Sequence, residues 1–324
     1  MYIVFLLAGL LLILVGADWL TDGAAEVAKR FHMSEFVVGL TVIAIGTSTP
    51  ELAVSFLSAM KGQTEMAVGN VVGSNIFNVF VTVGVCALIA PIALTRNNIR
   101  RDIPIGVAIS LLLLACGYRG VITRGTGIAM MVLYAAYLWY TVCSSEPEPA
   151  APSTSPSPAP SPAAKPVKER RRHSGWIVAA MIVTGLCALV GGGEMFVRGA
   201  TEVARRLGVS ESVIAITLVA GGTSLPELAS SAVSLMKGHG GMALGNALGS
   251  NTANILLVLG ASATVRPLTF GTITTTDLYV VLASAVALFL SAFTFRRREI
   301  DRWEGTLFII FYTAYIAWLI KTGA

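Results

Sequence analysis

Two glutamates, Glu51 and Glu227, each follow a proline inside an otherwise apolar stretch. A carboxylate at the centre of a bilayer costs roughly 2.5–3.5 kcal/mol on insertion scales, so such a group marks a functional site before it marks packing. The same polar residues surround both at a constant offset of 176: Thr47 and Thr223, Ser48 and Ser224, Ser74 and Ser250, Asn75 and Asn251, Asn78 and Asn254. Residues 46–84 and 222–260 align without a gap, with 21 of 39 positions identical. Leu, Val and Ala match by composition alone in such a chain. A duplicated set of costly polar groups does not, and it points to two half-sites facing each other.

The chemistry these residue types support is the binding of hard cations. Ca²⁺ takes six to eight oxygens from carboxylates, carbonyls, hydroxyls, amides and water. Pro50 and Pro226 cannot donate a backbone hydrogen bond, and their rings clash with the carbonyl four residues back. The helices should therefore break near Gly46 and Gly222, freeing carbonyls around Ala44, Thr47, Ala220 and Thr223. Ser74 and Asn78 are four residues apart, on one helix face, as are Ser250 and Asn254, so both pairs are expected to close the shell from the side. Two carboxylates balance one Ca²⁺, or most of the charge of a small group of Na⁺ ions. Competition for one set of carboxylates is the physical basis of exchange, because unpaired charge is costly to carry through low dielectric and a loaded site is not.

The elements that must hold this site are membrane helices. Of 324 residues, 55% are hydrophobic and only 13% charged, with mean hydropathy +0.74. Ten apolar segments approach the length of about 20 residues that a span needs: 2–30, 35–60, 65–90, 101–118, 123–143, 174–206, 210–236, 241–264, 275–295 and 304–321. The first runs into Asp18-Trp19-Leu20 without a basic start or a cleavage site, and reads as a helix rather than a signal peptide. Residues 144–172 are dense in Pro, Ser and Ala and read as an extended tether. The tether separates a first repeat, 1–143, from a second, 173–324. Five helices per repeat is an odd number, so the second repeat must enter from the opposite face. The expected fold is an all-α integral membrane protein of ten transmembrane helices in two inverted-topology five-helix repeats, with broken helices 2 and 7 at its core. Alternate loops carry fifteen and seven Lys and Arg residues. The positive-inside rule then puts the tether in the cytoplasm and both termini outside, in a multi-pass protein of the plasma (inner) membrane.

The two G-T-S-x-P-E motifs, each followed by G-N-x-x-G-S-N, resemble the α-repeats of the calcium/cation antiporter superfamily, most closely its sodium/calcium exchanger branch. The likeness covers essentially the whole apolar portion. It implies a central site near mid-membrane in which Glu51 and Glu227 are shared between Ca²⁺ and Na⁺. It further implies Thr47, Ser48, Thr223, Ser224, Ser74 and Ser250 as hydroxyl ligands, Asn78 and Asn254 as polar lining, and Ala44 and Ala220 as carbonyl donors. It also implies that the long first and sixth helices slide as a gate. Asn254 stands where some relatives carry Asp, which argues against a potassium requirement and leaves the Na⁺ stoichiometry open.

Other readings stay open at this point. A Ca²⁺/H⁺ or other divalent exchanger shares the chemistry, and a cation channel would also explain intramembrane carboxylates. No nucleophile–base pair or phosphate-binding loop suggests an enzyme. No cofactor, nucleic acid or obligate protein partner is implied beyond the transported Ca²⁺ and Na⁺ and the lipid bilayer. Asp18, Asp22 and Glu26 form an acidic stripe that reads either as a cation funnel or as a solvated helix extension. Glu194, Arg198, Glu202 and Arg206 form its self-neutralising counterpart. The small-xxx-small pairs Gly69/Gly73 and Gly245/Gly249 read as packing positions, the four cysteines as packing residues, and His239 as an exposed loop residue.

Overall fold

The protein is described here by a computed structural model covering residues 2–144, 174–208, 221–271, 273–294 and 298–322. The proline-rich tether and the start of the seventh expected segment, with Ala220, lie outside these residues. The described helices are α1 (Tyr2–Phe31), α2 (Glu35–Thr47), α3 (Thr49–Met60), α4 (Thr64–Ile89), α5 (Ile103–Arg119), α6 (Arg124–Cys143), α7 (Gly175–Arg206), α8 (Leu225–Met236), α9 (Gly240–Val265), α10 (Thr275–Ser291) and α11 (Arg302–Thr322). Among the described residues six helices are long and apolar enough to cross a membrane, and the bent pair α2–α3 makes a seventh. That falls short of ten, because α5 and α10 have 17 residues each and the seventh expected segment is described only from Gly221. The chain is a predominantly helical, multi-pass membrane protein.

Helices α4 and α9 form the centre: 72% of their apolar windows is buried, against 17–28% for α1, α6, α7 and α11. Both are interrupted by π-helical turns, at Asn78–Val83 and Asn254–Val258. Such turns are rare and concentrate at functional sites. Where the two helices cross, Asn75 Nδ2 donates to the Asn251 carbonyl (3.3 Å) and Asn251 Nδ2 to the Asn75 carbonyl (3.4 Å). Gly245 and Gly249 let α9 approach α2, since an added Cβ there would meet the Phe36 and Leu40 carbonyl oxygens at 2.2 and 2.6 Å. Two short ribbons tie the halves together at their loops, β1 (Ile92–Ala93) with β4 (Glu299–Ile300) and β2 (Val121–Ile122) with β3 (Leu268–Thr269), both antiparallel.

Outside this centre, α1 and α7 run antiparallel along a seam of glycines spaced by seven. Gly9, Gly16 and Gly23 lie on α1, with Gly185, Gly192 and Gly199 at the matching positions of α7. A Cβ on Gly16 would sit 2.7 Å from the Gly185 carbonyl oxygen, and one on Gly199 would sit 2.7 Å from the Leu6 nitrogen. Backbone contact this close is available only to glycine and packs α1 directly against α7 along the seam.

Candidate cation site at the helix breaks

The first break falls at Ser48, two residues later than Gly46, whereas the second is a turn over residues 221–224 that includes Gly222 as expected. The Ser48 N–H still bonds the Ala44 carbonyl (3.0 Å), so the first helix survives through Thr47 and restarts at Thr49, with a 45° bend between the two parts. Pro50 and Pro226 lie in the first turn of α3 and α8, where a missing N–H costs nothing. The hinge residues are therefore Ser48 (φ −80°, ψ 6°) and Ser224 (φ −91°, ψ 4°). Both occupy the sparsely populated bridge region common among active-site residues.

This hinge conformation aims each serine at the opposite half. Ser48 Oγ donates to Glu227 Oε1 and Ser224 Oγ to Glu51 Oε1, both at 3.2 Å. Ser74 Oγ reaches Glu51 Oε1 at 3.4 Å. Glu51, Glu227, Ser48, Ser224, Ser74 and Ser250 are all buried. Glu51 and Glu227 are thus brought together through hydroxyls of the other half, and none of their described hydrogen bonds comes from Lys, Arg or His.

A layer of amides supports the breaks. Thr47 Oγ1 donates to Asn246 Oδ1 (3.1 Å), and Asn246 Nδ2 donates to the Glu227 carbonyl (3.1 Å), Ser230 (3.0 Å) and Ser231 (2.8 Å). The matching relay runs from Thr223 to Asn70 Oδ1 (3.4 Å), and from Asn70 to the Glu51 carbonyl (3.2 Å) and Ser55 (3.0 Å). Asn70 and Asn246, each the Asn of its G-N-x-x-G motif, are functional residues that the sequence analysis does not bring forward. Duplication was the available signal, but proximity in sequence favoured the residues next to proline. The Ala44 carbonyl is not free as expected: it accepts from the Ser48 N–H and, at 3.4 Å, from the Thr47 hydroxyl.

Around the carboxylates several buried polar atoms have no partner among the described residues. They are Oε2 of both Glu51 and Glu227, Ser250 Oγ, Asn254 Oδ1, and both side-chain polar atoms of Asn78. Asn254 Nδ2 donates to Asn75 Oδ1 (3.1 Å). A buried carboxylate oxygen left unpaired is costly, by several kcal/mol for an ion taken out of water. Unpartnered carboxylate, hydroxyl and amide oxygens on the buried helices that carry both acids are the donor types a hard cation takes.

Two peripheral expectations change. His239 is half-buried and its Nδ1 lies 2.6 Å from Glu35 Oε1, because the loop before α9 folds back onto the start of α2. The acidic stripe on α1 does not face solvent alone, because Asp18 and Asp22 both pair with Lys237. Cys86 and Cys116 are buried as expected, whereas Cys143 and Cys187 are exposed on the helical surface.

Residues 1–143 and 177–321 match the profile of the family described as sodium/calcium exchanger protein. The chain belongs to this family. Among its relatives, the sodium/calcium exchanger MaX1 of Methanosarcina acetivorans is 33% identical over 340 residues, covering 96% of each chain. The inner membrane protein YrbG of Escherichia coli is 31% identical over 268 residues, 81% of this chain and 79% of YrbG. The sodium-calcium exchanger NCX_Mj, in crystals soaked with zero Na⁺ and Ca²⁺, superposes with a TM-score of 0.82 at 31% identity, over 98% of both chains.

Proposed function

We propose that this member of the family exchanges Na⁺ for Ca²⁺ by alternating access to one central site. In this reading Glu51 and Glu227 are the shared ligands, the hydroxyls of Ser48, Ser224, Ser74, Ser250, Thr47 and Thr223 complete the shell, and Asn78 and Asn254 line it. The observation that carries the reading is the reciprocal pair Ser48–Glu227 and Ser224–Glu51, together with a free Oε2 on each acid. Two ionised acids without a basic partner oppose reorientation when empty, and cation binding removes that penalty. The proposed architecture is ten spans in two inverted repeats, 1–143 and 173–324, with the 144–172 tether cytoplasmic and both termini outside, in the inner membrane. The match to YrbG, named as an inner membrane protein, supports that location.

The test is ⁴⁵Ca uptake into proteoliposomes containing the full chain. Uptake driven by an opposing Na⁺ gradient is expected. Uptake that follows pH alone makes the protein a proton-coupled exchanger, and uptake that follows voltage alone makes it a channel. Either of those results would overturn the Na⁺ assignment.

A further inference from the structure

The ion pairs on α1 and α7 break the match between the two halves. Lys237, at the end of α8, reaches Asp18 Oδ1 (2.6 Å), Asp22 Oδ1 (2.8 Å) and the Asp18 carbonyl (3.0 Å). One turn earlier Ser234 Oγ and Thr21 Oγ1 are 3.0 Å apart, both fully buried. At the matching positions Lys61 is exposed and has no ion pair among the described residues, while Glu194 is paired with Arg198 of its own helix. The apolar surface follows the same pattern. Val233 of α8 packs against the cluster formed with α1, whereas its counterpart Leu57 on α3 is 52% exposed. The α1–α7 unit therefore lies on α8 and stands away from α3.

Resting on the alternating-access reading above, we infer that Lys237 and Lys61 are alternate latches that hold the α1–α7 unit against α8 on one face or α3 on the other. Because the glycine seam couples the two helices, drawing α7 onto α3 pulls α1 off α8. Lys237 then loses Asp18 and Asp22, and Lys61 takes Glu194 from Arg198. Only one latch is made at a time, so each lysine biases which face the site opens to. Lys237 and Lys61 are positioning residues and touch no proposed ion ligand.

The test reads accessibility rather than transport. In the full chain carrying Cys143→Ser and Cys187→Ser, a Ser234→Cys reporter at the α1–α8 interface is labelled with a maleimide in proteoliposomes. Lys237→Gln is expected to raise the labelling rate roughly fivefold, the scale of two partly exposed ion pairs. Asp18→Asn with Asp22→Asn should do the same from the other side of the latch. Lys61→Gln should lower the rate, and Asp18→Lys with Lys237→Asp should restore the parent value. An unchanged rate in both the lysine and the double-aspartate variants overturns the proposal, as does a shift of the same sign for Lys237→Gln and Lys61→Gln. Labelling as expected without Na⁺-driven uptake would instead sink the exchange reading and leave the latch standing.

Discussion

The two halves of the site share their connections but not their geometry. In the first half the bend at Ser48 keeps the Ser48-to-Ala44 bond, and Glu51 Oε1 accepts from two serines. In the second half Gly221–Ser224 form a turn closed by the Ser224-to-Gly221 and Leu225-to-Gly222 bonds, at 3.2 and 3.4 Å. There Glu227 Oε1 accepts from Ser48 at 3.2 Å, with the Thr47 and Ser250 hydroxyls close to the same carboxylate but outside hydrogen-bond distance. Leu186 of α7 covers Gly46, whereas its counterpart Leu10 is 41% exposed. Duplicated sequence thus fixes which groups meet, and the position of the α1–α7 unit decides how closely each half shuts. Under the alternating-access reading proposed above, unequal halves are what one conformation requires, since equal halves would leave the site open to both faces or to neither.

The largest effects test what the halves share. Glu51→Gln and Glu227→Gln each keep the side-chain volume and remove half of the site's charge, so each should abolish Ca²⁺ exchange while expression is unchanged. Robust ⁴⁵Ca uptake by either variant would mean that the acids are not equivalent. The next effect separates the supporting amides. Asn246 holds Thr47, the Glu227 carbonyl and two serines, and is fully buried, whereas Asn70 is half-buried and holds one serine fewer. Loss of an outer-shell partner typically costs about 10–100-fold in metal affinity. Asn246→Leu should therefore weaken half-saturation by Ca²⁺ toward the top of that range, and Asn70→Leu toward the bottom. The reverse order would place the tighter half on the other side.

What could be read in advance follows from what is strictly local. The two buried acids, the hinge serines and their recurrence in both halves are carried by residues within one motif, and proline near a polar run is a strong signal. The exact hinge was missed because a proline in the first turn of a new helix frees only one carbonyl, leaving the preceding turn intact. Asn70 and Asn246 are hard to recognise in advance because an asparagine in a glycine-rich helix reads equally well as generic packing. The heptad glycines of α1 and α7 were hidden among 32 glycines, most of them without such a role. His239 reads as exposed from the sequence because its partner Glu35, like the partners of Lys237, lies more than 200 residues away on another helix, which no local pattern encodes.

The seam offers a smaller effect that bears on the stiffness of the moving unit. Gly16→Ala and its counterpart Gly192→Ala each force a Cβ into backbone of the partner helix, within 2.7–2.8 Å. Overpacking of this kind costs about 1–3 kcal/mol. Both variants should lower Tm in detergent by several degrees, whereas Gly125→Ala, whose nearest neighbour would be 3.9 Å away, should not. A seam tolerant of both alanines would mean that α1 and α7 are free to slide past each other, and the single-unit motion would fail.

The smallest effect returns to the serines of α4 and α9. Ser74 donates to Glu51 across a long 3.4 Å bond, while Ser250 finds no partner. In a site read through this conformation, Ser74→Ala should weaken half-saturation by Ca²⁺ about threefold, the scale of a stretched hydrogen bond to a charged group. Ser250→Ala should have less effect when the cation is presented from the α3 face, where the α1–α7 unit stands away, and a matching effect when it is presented from the α8 face. Equal losses from both faces would show that the inequality of the two carboxylates belongs to the residues themselves and not to the direction in which the site is open.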